Sequence, residues 1–132
     1  MTIAIICTAI LAAMVFVLGF NVSRMRGVTA KTGGSQMPTD PASPLLKAIR
    51  AHGNAAEYVP TLILLFLLVG TRSPAVVAIP LIAGATMARI LHAYGMLASP
   101  TLAGENAPRL AGAMGTYGFG LGLAIAAVAS LL

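Results

Sequence analysis

The chain has 132 residues, 58% hydrophobic and only 8% charged, so it holds one domain whose surface water alone cannot cover. Its 8 Lys and Arg against 3 Asp and Glu report membrane topology; with no Trp and no soluble lobe, a nucleic-acid face is excluded. The single cysteine, Cys7, excludes an internal disulfide and a cysteine-based metal cluster.

The first element is an uncharged run of 19 residues, Thr2 to Phe20, long enough to span a bilayer. No basic residue precedes it, while Arg24 and Arg26 follow directly, so it reads as a retained helix of about Thr2–Ser23 and not as a secretory leader. Cys7 within it is a small packed hydrophobe. The connection from Asn21 to Pro44 contains Gly33-Gly34, Pro38, Pro41 and Pro44 and is expected to be loop. Helix 2 is expected at about Leu45–Gly70, followed by the tight turn Thr71-Arg72-Ser73-Pro74. Helix 3 covers about Ala75–Leu97. After a short connection broken by Pro100 and Gly104, helix 4 covers about Ala107–Leu132. The fold class is therefore all-α, a four-helix membrane bundle in a single domain, 1–132. Pro60 and Pro80 fall inside helices 2 and 3, where membrane helices tolerate kinks. The GxxxG spacing from Gly118 to Gly122 predicts close helix packing in helix 4.

Basic residues orient the bundle. Arg24, Arg26, Lys31 and Lys47 crowd the first connection, and the second has only Arg72. The positive-inside rule then places the first and third connections in the cytoplasm and both termini outside.

Helix 2 carries charge into the membrane. Its purely apolar stretch, Tyr58 to Gly70, is 13 residues, so a span of about 20 must reach back to Ala51 and include Asn54 and Glu57. At 100° per residue, Arg50, Asn54 and Glu57 fall within about 60° of one another, with Lys47 close by. His52 points about 160° away, which suits a subunit boundary or a headgroup contact. Across the tight turn, Arg89 lies 17 residues after Arg72 and Glu57 lies 15 before it, so the two share a depth. His92, at i+3 from Arg89, shares its face.

Two explanations compete. A structural ion pair, Glu57 with Arg89 or Arg50, would hold the bundle in register. Alternatively the cluster is a ligand site: ionisable groups in hydrocarbon cost at least ~2.5–3.5 kcal/mol each on insertion scales, and five polar groups exceed what one pair requires. Two guanidiniums suit carboxylates, and the lone Glu57 suits an ammonium. Glutathione has two carboxylates, one amine and a thiol, so the spacing permits it. Two separated histidines make no metal site, and none is expected.

The run Ala48-Ile49-Arg50-Ala51-His52-Gly53-Asn54-Ala55-Ala56-Glu57-Tyr58-Val59-Pro60 resembles the helix-2 signature of the MAPEG proteins, the membrane-associated proteins in eicosanoid and glutathione metabolism. Ala88-Arg89-Ile90-Leu91-His92-Ala93-Tyr94-Gly95 resembles their helix 3, and the likeness extends along the whole chain, nearest to small bacterial inner-membrane members. The resemblance implies a homotrimer that holds glutathione between subunits near the cytoplasmic face, as co-substrate of a transferase or peroxidase acting on a lipophilic electrophile. By it, Arg50, Asn54, Glu57, Tyr58 and Arg89 match glutathione-binding positions. His92 stands where eukaryotic members often have Tyr, and Arg26, with Arg24 as the alternative, stands near a basic position at the end of helix 1. Met96 replaces a second Tyr, and Ala98 to Ala107 contains no basic residue to match the arginine that activates the thiol. Arg109 is the nearest stand-in. Two alternatives follow: a non-catalytic ligand binder or scaffold of the same fold, and a small four-helix transporter. Transporters of that kind commonly place their carboxylate in helix 1, which is uncharged here.

Overall fold

The computed structural model describes residues 1–131 as four helices in an up-and-down bundle. They are α1 (Thr2–Lys31), α2 (Pro44–Arg72), α3 (Ala75–Ala98) and α4 (Ala107–Ala129); Leu132, expected to close the last helix, lies outside the described residues. All four are long and apolar enough to cross a membrane.

Local chemistry sets the boundaries. Ser43 Oγ accepts from the Leu46 amide at the start of α2, where Pro44 needs no amide partner. Asn106 Oδ1 accepts from the Arg109 amide at 2.9 Å and starts α4. Helix α1 continues past Ser23 to Lys31, into residues expected to be loop. Between Arg24 and Lys31 there is no proline, and only Gly27 weakens the helix. It stops where Gly33 adopts φ 69 and the Gly34 amide bonds back to the Thr29 carbonyl at 2.9 Å, a turn that a left-handed glycine permits.

Fully buried Leu11, Val59, Phe66, Ile82 and Leu123 bring all four helices into one core. Large apolar residues also face outward: Phe16, Phe20 and Val76 are 72–81% exposed. A surface of this kind is solvated by lipid. The first and third connections meet at one end of the bundle. The Leu102 amide donates to the Pro41 carbonyl at 2.9 Å, and Lys47 Nζ donates to the Ser99 carbonyl at 2.9 Å.

The α3–α4 seam is closed by backbone. A Cβ placed on Gly112 would stand 2.5 Å from the His92 nitrogen, and one on Gly95 would run into the backbone of Arg109. Gly118 meets nothing within 4 Å, and Gly122 meets only the Leu81 side chain. The close approach therefore runs through Gly112 and Gly95 and not through the Gly118–Gly122 spacing. The His52 ring lies against Gly19 of α1, where a Cβ would stand 3.2 Å from Nε2, and is half-buried there.

Candidate functional site

Helix α2 presents two faces. Ala48, Ala51, Ala55, Val59 and Leu62 are buried against the bundle, and Arg50 and Glu57 are exposed on the opposite side, two turns apart. Asn54 and Tyr58 lie half-buried between them. Arg50 and Glu57 differ by about 20° in helical phase, which is why sequence spacing puts them on one side.

From α3, Arg89 enters the bundle and is 1% exposed. Its Nη2 donates to Asn54 Oδ1 at 2.7 Å and its Nη1 to Thr116 Oγ1 of α4 at 3.4 Å. Its Nε is buried without a hydrogen-bond partner. Arg89 Cζ stands 5.2 Å from the centroid of the Tyr58 ring, close enough for a cation–π attraction. The Tyr58 hydroxyl in turn approaches that of Tyr117 on α4 at 3.5 Å, with the rings tilted by 52° and their centroids 6.0 Å apart. Three helices thus hold one guanidinium whose neighbours are an amide, a hydroxyl and a ring.

Asn54 and Arg89 are brought together as the spacing predicts, and Tyr58, named by the family resemblance alone, joins them. Arg50 and Glu57 lie beside them on the outer face. The structural ion pair is not the arrangement found: among the described residues, Arg89 gives its hydrogen bonds to Asn54 and Thr116, not to Glu57. His92 departs from the group. It is 8% exposed and turns to α4, with Nδ1 2.8 Å from the Arg109 carbonyl. A carbonyl only accepts, so Nδ1 carries the proton and Nε2 is left as an acceptor. Arg26 is exposed near the end of α1, apart from Arg89; its carbonyl accepts from Gln36 Nε2 at 3.3 Å.

Arg109 is tied into the third connection. Its Nη1 donates to the Leu102 carbonyl at 3.1 Å and its Nη2 to the Gly104 carbonyl at 2.7 Å, so it clamps the turn between α3 and α4. Met96, at the position of the second tyrosine of some eukaryotic members, is buried. Sequence reading missed Thr116 and Tyr117. The available signal was depth: a threonine and a tyrosine in the middle of an apolar helix that must run antiparallel to α3, level with Arg89.

Below the tyrosine pair, a groove of about 390 Å³ runs between α2 and α4, lined by Tyr58, Thr61, Leu65, Tyr117 and Leu121 among others. Polar groups at one end and an apolar groove leading from them suit a polar ligand beside a lipophilic one. Among the described residues, no cluster of His, Cys, Asp and Glu is suited to a metal ion.

The family model described as MAPEG family matches residues 4–129. No curated protein and no solved structure matches the chain.

Proposed function

From the premise that this integral membrane chain belongs to the MAPEG family, we propose that it binds glutathione and transfers the thiolate to a lipophilic electrophile. The observation that carries this reading is the unmatched charge at one depth. Arg89 is a buried cation without a carboxylate partner, and beside it Arg50 and Glu57 stand open on a face that lipid cannot solvate. A ligand with carboxylates and an ammonium answers Arg50 and Glu57, and its thiolate answers the charge of Arg89. Arg50 takes a carboxylate, Glu57 the ammonium and Asn54 a backbone amide. Arg89, enclosed as it is, holds Asn54 and Tyr58 in position and adds positive field where the sulfur is negative. Arg26 and His92 stand farther from this group and bind only what a neighbouring subunit brings to them.

An exposed Glu57 at membrane depth needs a protein neighbour, and this supports a closed homotrimer with the ligand between subunits. The likeness to small bacterial members favours a bacterial inner membrane, and the basic first connection favours the site toward the cytoplasm and both termini outside. In the reaction, the thiol releases its proton to cytoplasmic water. The sulfur lone pair then forms the bond to the electrophilic carbon, and the leaving group departs with its electron pair. With a lipid hydroperoxide, two glutathiones are oxidised to the disulfide and the peroxide is reduced to an alcohol and water. The apolar groove next to Tyr58 and Tyr117 holds the lipophilic partner.

A second reading has its own observation. Arg109, the stand-in for the thiol-activating arginine, is committed to two loop carbonyls, and this favours a binder that does not turn over. Calorimetry with glutathione, followed by ultraviolet titration of the bound thiolate, tests both. Binding with thiolate absorbance at neutral pH supports the transferase. Binding without it supports the non-catalytic binder, and no binding removes both.

A further inference from the structure

At the end of the bundle that carries the first and third connections, we propose a binding site for an anionic phospholipid in the cleft between α1, the start of α2 and the end of α3. The cleft measures about 470 Å³ and lies apart from Arg89 and Glu57. Its lining divides by chemistry. Arg24, Lys47 and Asn21 form a polar rim, and Val17, Phe20 and Leu97 form the apolar wall.

Depth explains the division. Helix α1 has 30 residues and is therefore about 45 Å long, whereas the hydrocarbon core of a bilayer is about 30 Å thick. Measured from Thr2, the core is crossed by about residue 21, so Asn21 and Arg24 reach headgroup level and Val17 and Phe20 stay among acyl chains. Phe20 is 72% and Val17 65% exposed, so the cleft opens sideways to lipid. It is shaped for an amphiphile entering from the bilayer.

Charge selects the headgroup. No acidic residue lines the cleft. Lys47 Nζ gives one hydrogen bond to the Ser99 carbonyl at 2.9 Å, which leaves two of its three donors. Arg24 is exposed and uses Nη2 on Asn21 Oδ1 at 3.0 Å, with most of its fork open. Two cations with open donors at a membrane surface attract a phosphodiester, and the apolar wall below takes one of its acyl chains. A soluble anion would gain the charges and nothing from the wall. The proposal does not rest on the glutathione reading: neither Arg50 nor Glu57 lines the cleft, and Lys47 turns to the Ser99 carbonyl of the third connection.

Native mass spectrometry of the intact protein, released from mild detergent and titrated with phosphatidylglycerol or with phosphatidylcholine of the same chains, tests the proposal. Phosphatidylglycerol should bind preferentially, and glycerol phosphate should not displace it. Arg24→Gln should weaken the binding roughly fivefold and Arg24→Gln with Lys47→Gln roughly twenty-five-fold, about one surface charge each. Arg24→Lys and Lys47→Arg should restore it, and Arg72→Gln at the opposite end should leave it unchanged. Because Arg24 is exposed, its single variant reads the site even if loss of the Lys47–Ser99 bond disturbs folding. Equal binding of the two lipids, displacement by glycerol phosphate, or affinity unchanged in Arg24→Gln would overturn the proposal.

Discussion

The α3–α4 seam and the outer face of α2 both place polar groups inside a lipid-spanning bundle, and they treat them in opposite ways. In the seam, His92 Nδ1 meets the Arg109 carbonyl, the Thr116 hydroxyl donates to the Gly112 carbonyl at 2.7 Å, and the guanidinium of Arg109 is shared between two loop carbonyls. On α2, Arg50 and Glu57 are exposed, and among the described residues neither is held by a hydrogen bond. Polarity at membrane depth is therefore a poor guide to function by itself. The informative property is whether the donors and acceptors are already committed. A satisfied polar group holds helices together, and an open one requires something from outside the chain.

The comparison breaks most visibly at Gly112. Any side chain there meets the His92 backbone, which cannot rotate aside as a side chain can. Gly112→Leu should lower stability by about 3 kcal/mol, near the upper end for overpacking, read as a lower melting temperature in detergent. An unchanged melting temperature would mean that the seam is looser than its geometry. The outer face should behave in the reverse manner. Arg50→Ala and Glu57→Gln should leave the melting temperature nearly unchanged and weaken glutathione binding about ten- to hundredfold, the loss of one charge-assisted hydrogen bond. Calorimetry that finds full affinity in both variants would remove the α2 face from the binding site.

How far the sequence could be read follows the same division. Depth and phase along a helix are arithmetic, so the shared side of Arg50, Asn54 and Glu57 and the meeting of Asn54 with Arg89 were legible from spacing, whereas Tyr58 was legible only through the family resemblance. Which neighbour a side chain chooses is not contained in its own helix. His92 shares a face with Arg89 yet bonds to α4, because Gly112 lets the two backbones approach there. Thr116 and Tyr117 escaped for the same reason: their value depends on the rotation of α4, and its small residues are spread too evenly for a single stripe to stand out. The extension of α1 to Lys31 is hidden in the sequence because the breakers Gly33, Pro38 and Pro41 lie just beyond a proline-free run whose apolar pattern has already ended.

Arg109→Ala gives a smaller effect that sharpens the comparison on the seam side. Its two bonds to the loop carbonyls should be worth about 1–2 kcal/mol of stability. Glutathione affinity should stay within about twofold, because a clamp outside the ligand face removes no contact. Loss of thiolate absorbance at constant stability would instead make Arg109 the activator that the family resemblance looks for.

The smallest effect is expected at Gly118, and it bears on what covers the bundle. Gly112 and Gly118 are both glycines of α4, six residues apart, yet the first faces His92 and the second faces open space within the chain. In an isolated subunit, Gly118→Ala should gain about 0.5–1 kcal/mol, because alanine restricts the unfolded backbone and improves helix propensity. A closed trimer changes the sign wherever a neighbouring copy packs on that face, since a methyl group then meets a facing helix. Melting temperature and oligomer mass, measured together on Gly118→Ala, separate the two cases. A higher melting temperature with the mass unchanged leaves Gly118 facing lipid. A lower one with partial dissociation puts Gly118 in the subunit interface, and the exposed side of α4 is then part of the wall that closes the site.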